Sequence, residues 1–444
     1  MISVMEEKDG YLSSFAEFRQ SDAVKSSPWL DGMRRAAIGR FAEIGFPTTR
    51  LEEWKYTNVN PIARVPFRSP SGRSNGITAS DLARFTFSEM ECCQLVFLNG
   101  RYAEGLSTLK SLPRGVRVKS LAAAMAGERE LVEPHLARHA AFDRDAFSAL
   151  NTAFIADGAF VFVPSGTILK EMVHLLFLST AENEPTVSHP RNLIVLGAGA
   201  QAIVVESYVG LNPGRYFTNT VSEIVAGSDS VLDHYKLQHE NDRAFHVATI
   251  QVRQDRNSSV TSHSISLGGS LVRNDVNMVL DAEGCQALLN GLYLTKGTQH
   301  IDNHTRIDHA KPHCESRELY KGILDDRSTA VFNGKILVRQ NAQKTNAKQT
   351  NKNLLLSEEA LVNTTPQLEI FADDVKCTHG ATIGRLNEEE LFYMRSRGIG
   401  AESARTLLTY AFASDILGAM KVKPIQCQID LVLLNRLARA KEIQ

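Results

Sequence analysis

A cysteine and a histidine two residues apart, Cys377 and His379, form the most suggestive chemical feature of this sequence. A thiolate and an imidazole are both ligands for iron and zinc, and residues two apart in a strand lie on one face, about 6.5 Å from each other. The same period places Phe371, Asp373 and Val375 on that face, which predicts a strand with partial burial. Two ligands do not complete a tetrahedral site, so further ligands are expected from a partner subunit. The spacing alone also fits a buried free cysteine beside a hydrogen-bonded histidine.

A second group of possible ligands precedes this segment. It consists of His300, His304, His309, His313 and Cys314. On a helix, His300 and His304 could bind one metal ion, as in a cupin-like metalloenzyme. The neighbouring Gly297, Asp302 and Asn303 favour strands and turns instead, where the side chains need not converge. We therefore expect hydrogen-bonded polar positions on a β surface, with the metalloenzyme as an alternative.

The segment Gly197–Ala202 formally matches the dinucleotide fingerprint G-x-G-x-x-G/A. That fingerprint needs a following helix, whose N-terminus holds the pyrophosphate. Here Ile203, Val204 and Val205 follow, and these residues favour a strand. The match therefore predicts a turn between two strands rather than a nucleotide site.

The composition argues against several classes of function. Lys and Arg total 49 against 50 Asp and Glu, which leaves no excess charge to attract nucleic acid. The longest apolar runs are too short to cross a bilayer, and the N-terminus lacks the pattern of a signal peptide. The six cysteines are scattered without a C-x-x-C pair, as expected for a reducing compartment. We expect a cytoplasmic protein with no nucleic-acid or membrane partner.

Three zones must position these residues. Residues 1–155 are predicted to form a mixed helical region, residues 156–386 a β core, and residues 387–444 a small helical domain. The β zone contains short apolar runs with strand periodicity for roughly 200 residues, longer than a sandwich usually needs and typical of a solenoid, to which coils can be added. The amide-rich run 340–353 could stack in register along such coils, or form a solvated loop.

The last zone changes to a helical period. Asn387-x-x-Glu390 predicts a capping box, and Gly398 suits the position after a helix. The next stretch has apolar residues at i, i+3, i+4, i+7 and i+8, which predicts an amphipathic helix: Ala404, Leu407, Leu408, Ala411 and Phe412. Pro424 should end that region before a last helix.

A string of motifs resembles a known family over essentially the whole chain. The motifs are Arg50-x-Glu52-x-Trp54-Lys55-Tyr56-Thr57, Ala149-Leu150-Asn151-Thr152-Ala153-Phe154, Tyr320-Lys321-Gly322, Phe332-Asn333-Gly334-Lys335-Ile336, Gln343-Lys344-Thr345-Asn346-Ala347, Asp373-Asp374-Val375-Lys376-Cys377-x-His379-Gly380-Ala381-Thr382 and Arg395-Ser396-Arg397-Gly398-Ile399. Together they resemble the SufB/SufD family of the SUF iron–sulfur cluster assembly system, and the string around His379 is of the SufD type.

The resemblance implies a mainly β fold: a right-handed parallel β-helix with an N-terminal helical or mixed region and a small C-terminal helical domain. It implies a scaffold subunit without catalysis of its own, which pairs with a SufB-like paralogue and binds a SufC-like ABC-type ATPase through its C-terminal helices. His379, with Cys377 as the secondary candidate, would hold a transient iron–sulfur cluster or iron at the subunit interface.

Further expectations follow from this resemblance. The residues expected to contact the ATPase are Arg397, Ile399, Leu407, Leu408 and Phe412. No cofactor is expected to bind tightly to the isolated chain, which could be a homodimer. Two alternatives remain open: a SufB-type scaffold paralogue, and a β-helix enzyme such as a carbohydrate lyase.

Overall fold

The structure is a computed structural model that describes residues 4–21, 27–70, 76–87, 92–181 and 184–439. Most of the chain forms a parallel β-solenoid of about 8 turns, flanked by an N-terminal helical region and C-terminal helices. The mainly β fold predicted from the sequence is therefore confirmed. No helix among the described residues is long and apolar enough to cross a membrane.

The described strands, in chain order, are β1 (Cys92–Leu98), β2 (Arg101–Tyr102), β3 (Arg117–Ser120), β4 (Ala159–Val163), β5 (Met172–Ser179), β6 (Thr186–Ser188), β7 (Arg191–Leu196), β8 (Gln201–Gly210), β9 (Tyr216–Ala226), β10 (Val231–His239), β11 (Phe245–Gln254), β12 (Ser259–Ser266), β13 (Leu271–Leu280), β14 (Gln286–Thr295), β15 (His300–His309), β16 (Glu315–Leu324), β17 (Thr329–Val338), β18 (Asn346–Leu355), β19 (Leu361–Ile370) and β20 (Lys376–Gly384). The described α-helices are α1 (Val4–Phe18), α2 (Asp31–Ile44), α3 (Asn60–Ala63), α4 (Ala79–Leu82), α5 (Leu121–Gly127), α6 (Arg129–Val132), α7 (Ala146–Ala153), α8 (Glu388–Ser396), α9 (Ala401–Gly418) and α10 (Lys423–Arg439).

Each coil of the solenoid contributes one strand to each of two sheets. The first sheet has the order β2-β1-β5-β8-β10-β12-β14-β16-β18-β20, and the second has the order β19-β17-β15-β13-β11-β9-β7-β4-β3. The pairs β1–β2 and β3–β4 are antiparallel, and the other pairs along these two orders are parallel. The two sheets therefore begin within the N-terminal region, before the strand-rich zone that starts near residue 156.

Alternating residues of both sheets point into the solenoid and form its main core. The apolar part of this core includes Val204, Ile250, Val276 and Phe332, all at most 2% exposed. The interior also holds buried polar groups, such as Glu206, which accepts a 2.6 Å hydrogen bond from Tyr208. Because polar groups that lose water must find partners, these side chains hydrogen-bond to one another across neighbouring coils.

One corner of the coil repeats through the solenoid and explains two of the cysteines. A residue with a φ between 55° and 75° recurs there in six coils: Gly199, Asp229, Asn257, Gly284, His313 and Lys344. A small buried residue follows each of them: Ala200, Ser230, Ser258, Cys285, Cys314 and Thr345. Each thiol of the pair Cys285 and Cys314 lies 3.1–3.2 Å from the carbonyl oxygen of Ala282. These two cysteines are corner residues of the coil.

The N-terminal region packs on the outer face of the second sheet. Trp54, Ile62 and Phe147 contact outward residues of that sheet, including Phe217 and Phe245. The helix α7 also lies over a buried ion pair between Arg191 and Glu223, because Arg191 donates a hydrogen bond to Asn151 of that helix. Further along the same sheet, Thr57 donates a hydrogen bond to Asp302 on β15, so this region covers the second sheet at least from β9 to β15.

The C-terminal helices α9 and α10 pack on the outer face of the first sheet. Ile416, Leu417 and Leu433 are at most 1% exposed against an apolar patch of that face that includes Tyr235 and Leu292. The helix α10 begins next to Pro424, as predicted, and Gly398 follows α8 with a φ of 84°. The helical domain is thus fastened to the middle coils.

Candidate ligand site at the open end of the solenoid

The solenoid ends in two strands that are paired on one side. Within the described part of the chain, β19 pairs with β17 alone and β20 with β18 alone. Unpaired N–H and C=O groups along such edges favour the addition of another strand. Large apolar side chains are also exposed here, with Leu361 55%, Phe371 63% and Ile383 51% accessible. This end has the character of a protein interface.

Cys377 lies on β20 and points toward the interior of the last coil. It pairs in register with Ala347 and is partly buried in a small apolar cluster with Ile336 and Ala372. Burial raises the pKa of the Cys377 thiol, so the isolated chain carries it in the protonated form near neutral pH. A bound metal would favour the thiolate, since only that form is a strong ligand.

His379 lies two residues further along β20, in register with Gln349. The strand period places it on the same side as Cys377, as predicted. It is exposed, and its imidazole makes no hydrogen bond to the described residues. Both ring nitrogens are therefore accessible from the open end.

The predicted strand before this pair is wrong for residues 371–375. These residues form the corner between β19 and β20, and the strand begins at Lys376. The corner stacks on the preceding one, because the carbonyl oxygen of Asp374 accepts a 2.7 Å hydrogen bond from the backbone N–H of Lys344. Phe371 is consequently exposed rather than partly buried, whereas Val375 does pack beside Cys377.

Cys377 and His379 are the two candidate ligands predicted at this end. Among the described residues there is no group of three or more His, Cys, Asp or Glu side chains that could hold a metal ion. A complete site built on Cys377 and His379 would need additional ligands, such as those from a facing subunit.

The second predicted histidine group does not converge on a site. His300 and His304 lie on the outer face of β15, and His309 lies in the interior, 2.9 Å from the hydroxyl of Ser316. Thr57 lies 2.8 Å from the Nε2 atom of His300. The predicted polar positions on a β surface are therefore confirmed for His300 and His304, whereas the surface position predicted for His309 is wrong, because that side chain is buried inside the solenoid.

Asp302, between His300 and His304, binds the N-terminal region to the second sheet. It accepts hydrogen bonds from Thr57 and from Arg273, the latter at 2.6 Å, and lies 3.1 Å from His304. Burial opposes its ionisation, but the charges of Arg273 and His304 outweigh burial and hold the pKa of Asp302 well below its usual range. This network therefore links the end of the motif Arg50–Thr57 to β15.

The amide-rich run 340–353 does not form stacked amides along its whole length. Its first part is a corner, and β18 begins at Asn346. In β18, Gln349 donates to Glu318, while Asn353 donates to Asn351. These amides line the interior of the coil and bond to carboxylate, tyrosine and amide partners.

Two family models match the chain. One describes the N-terminal region of SufBD proteins and covers residues 5–175, and the other describes the SufBD core domain of SUF iron–sulfur cluster assembly and covers residues 177–412.

The chain belongs to the SufBD family.

Relatives in three bacteria agree with this membership. The chain is 35% identical to a SufBD family protein of Synechocystis over 89% of both chains, and 31% identical to the Escherichia coli iron–sulfur cluster assembly protein SufD over 92% of this chain and 93% of that protein. It is 25% identical to the Bacillus subtilis protein of the same name over 95% and 96% of the two chains. The match to these relatives thus spans about nine-tenths or more of each chain.

The residues predicted to bind the ATPase divide into two groups in this SufBD protein. Arg397 and Leu407 are exposed, and Ile399 is half-buried in the turn before α9. Leu408 and Phe412 are half-buried, and the Lys321 ammonium lies 4.7 Å from the centre of the Phe412 ring. The predicted apolar stripe of α9 is therefore shared between the solenoid and the surface.

Two exposed aromatic residues were missed in the sequence. Phe392 and Tyr393, on α8, are 73% and 59% exposed and lie before Arg397 in the chain. The Arg397 guanidinium lies 5.3 Å from the centre of the Tyr393 ring. The sequence places both residues in the helix that begins after Asn387. However, α8 is too short for the spacing of its apolar residues to show which face is buried.

Proposed function

We propose that this chain is a scaffold subunit for iron–sulfur cluster assembly, without turnover of its own. In this proposal its open end pairs with a SufB-like paralogue, and the nascent cluster is the cargo held between the two chains. The supporting observation is the end of the solenoid, which combines two ligand side chains with two unpaired strand edges. A site that is half complete suits a chain that works at an interface.

Several features support the finer parts of this proposal. The free state of all six cysteines suits a reducing cytoplasm, which we propose as the site of action. Without its partner, the chain could pair with itself through the same edges and form a homodimer. Both matching family models describe SufBD proteins, which leaves the carbohydrate lyase and the cupin-like enzyme without support.

The ligand role is tested by replacing His379 with Ala. Because His379 is exposed and unbonded within the described chain, the variant should fold and pair normally. We expect cluster loading of the complex with the SufB-like and SufC-like proteins to fall about tenfold, since the ion loses a ligand. Iron and acid-labile sulfide per complex are the measurements.

Two variants of β20 complete this test. Thr378→Ala changes an exposed neighbour on the opposite side of the strand and should load normally. Cys377→Ser should load normally if the thiol only packs, and less if it is a ligand. Normal loading of the His379 variant would remove its ligand role.

We also propose that α8 and α9 bind the SufC-like ATPase. The Leu407 side chain is 47% exposed on α9, close in sequence to Arg397 and the aromatic residues of α8. Leu407→Asp should weaken ATPase binding about tenfold, because it places a charge in an apolar contact. Isothermal titration with the purified ATPase measures the change.

Leu434 supplies the matched control for this surface. It is 41% exposed on α10, and Leu434→Asp should leave the affinity unchanged. Equal loss in both variants would place the ATPase elsewhere or indicate unfolding. Deletion of residues 387–444 is a poorer test, because it would uncover the apolar patch under Ile416 and Leu417.

A further inference from the structure

A column of polar side chains inside the last coils ends at His379. In the register of the first sheet, Glu318, Gln349 and His379 occupy equivalent positions on β16, β18 and β20. Glu318 is 3% exposed and Gln349 is 1% exposed. Gln349 is therefore the buried side chain directly beneath the proposed ligand.

The amide of Gln349 has a fixed orientation. Its Nε2 atom donates a 2.8 Å hydrogen bond to the Oε2 atom of Glu318, on the preceding coil. Burial raises the pKa of Glu318 to about 7, and in its ionised form this side chain can only accept hydrogen bonds. The amide nitrogen must then face Glu318, and the Oε1 atom is left for another donor.

That second donor is missing within the described part of the chain. The Oε1 atom of Gln349 is buried and has no hydrogen-bond partner there. Buried carbonyl oxygens are nearly always paired, so this oxygen is free to accept a hydrogen bond from a donor that comes to lie over it. The neighbouring position on the following coil is His379, whose ring nitrogens are also unpaired.

Gly334 makes room for this amide. It lies on β17, in the facing sheet, and a Cβ atom there would lie 2.2 Å from the Nε2 atom of Gln349 and 2.7 Å from its Cδ atom. Any larger residue would displace the amide from Glu318. The glycine in the motif Phe332-Asn333-Gly334-Lys335 is thus explained by the space that Gln349 occupies.

We propose that Gln349 is the positioning residue for His379. When a partner covers the open end, the imidazole packs over Gln349 and donates one N–H to its Oε1 atom. This bond fixes the tautomer and directs the other ring nitrogen to the nascent cluster. The inference rests on the proposed ligand role of His379 and adds that its orientation is set from inside the solenoid.

The test compares two buried amides of the same strand. Gln349→Leu removes the acceptor beneath His379, whereas Asn351→Leu removes a buried amide whose register partner on β20 is Ala381. In the complex with the SufB-like and SufC-like proteins at pH 8, Gln349→Leu should lower iron and sulfide loading about tenfold. Asn351→Leu should load normally, although it removes three hydrogen bonds against one for Gln349→Leu and should lower the thermal stability at least as much.

A structure of the complex provides a readout that does not depend on loading. The Oε1 atom of Gln349 should lie within about 3.2 Å of a ring nitrogen of His379. A longer separation, normal loading of Gln349→Leu, or equal loss in Asn351→Leu would overturn the positioning role. If His379→Ala itself loads normally, the ligand role fails instead, which separates the two failures.

Discussion

Lowering the pH from 7 to 5 should reduce the free energy of unfolding of this chain by several kcal/mol. Several histidines have no exposed surface, and among them are His174, His263 and His309. Burial lowers the pKa of His174 to about 3 and that of His263 and His309 to about 4. An unfolded histidine has a pKa near 6.5, so as the pH falls to 5 these histidines become protonated in the unfolded chain but stay mostly neutral in the folded chain.

This difference in pKa between the folded and unfolded chain sets the sign and the size of the change in the free energy of unfolding. A depressed histidine pKa contributes stability above pH 6.5, and that stability is lost as the pH falls toward the folded value. At pH 5 the loss is about 2 kcal/mol for each histidine, whether its folded pKa is 3 or 4. Glu318 acts in the opposite direction, since its pKa is raised to about 7, and it offsets about one histidine.

Urea unfolding at pH 7, 6 and 5 would measure this effect. His263 stacks on Tyr235, with 4.8 Å between the ring centres, and has no hydrogen-bond partner among the described residues. His263→Phe should therefore reduce the pH dependence. His313→Asn, at an exposed corner, should leave it unchanged. Equal stability at pH 7 and pH 5 would contradict the prediction.

Replacing Glu223 with Ala should lower the free energy of unfolding by about 3–5 kcal/mol. Glu223 lies 2.6 Å from Arg191, and neither side chain is exposed. Burial disfavours the carboxylate, but Arg191 and the backbone N–H groups of Ala140 and His139 outweigh it and lower the pKa of Glu223. The variant would leave the Arg191 guanidinium buried without its counter-ion.

The same ion pair joins two parts of the chain. Arg191 also donates to Asn151 and Thr152 at the end of α7, so the loss should loosen the N-terminal region as well. Thermal and urea unfolding would measure the loss. The control is Glu133→Ala, which breaks the exposed Arg129–Glu133 pair and should have no measurable effect. Equal stability of the two variants would show that the buried pair is not needed.

The coils could be predicted because their residues alternate. Val276, Met278 and Leu280 are buried on β13, while Asp275 and Asn277, which alternate with them, are only half-buried, which is the pattern of a strand with one face in a core. The repeat itself was hidden, because the corner residues are chemically different: Asn257, His313 and Lys344 share a positive φ but no side-chain type. Backbone conformation is conserved there between coils, and residue identity is not.

The candidate site was predictable only in part. The two-residue spacing correctly predicted that Cys377 and His379 lie on the same side of a strand. It also predicted a strand through Asp373, which is wrong, because a corner can show the same alternation as a strand over a few residues. The role of Gln349 could not be read at all, since its neighbours Glu318 and Gly334 are distant in sequence. Likewise, the direction of Leu407 depends on the sheet under α9, which spacing within the helix does not reveal.

The attachment of the C-terminal helices has a consequence for the order of events during synthesis. Ile416, Leu417 and Leu433 rest on Tyr235, Ile265 and Leu292, which are contributed by three different coils. The helices leave the ribosome last, and they can pack only when those coils have already stacked. A chain whose middle coils have not folded should therefore lack an ordered helical surface that could bind the proposed ATPase. Assembly of the complex would then act as a check on the completeness of the fold.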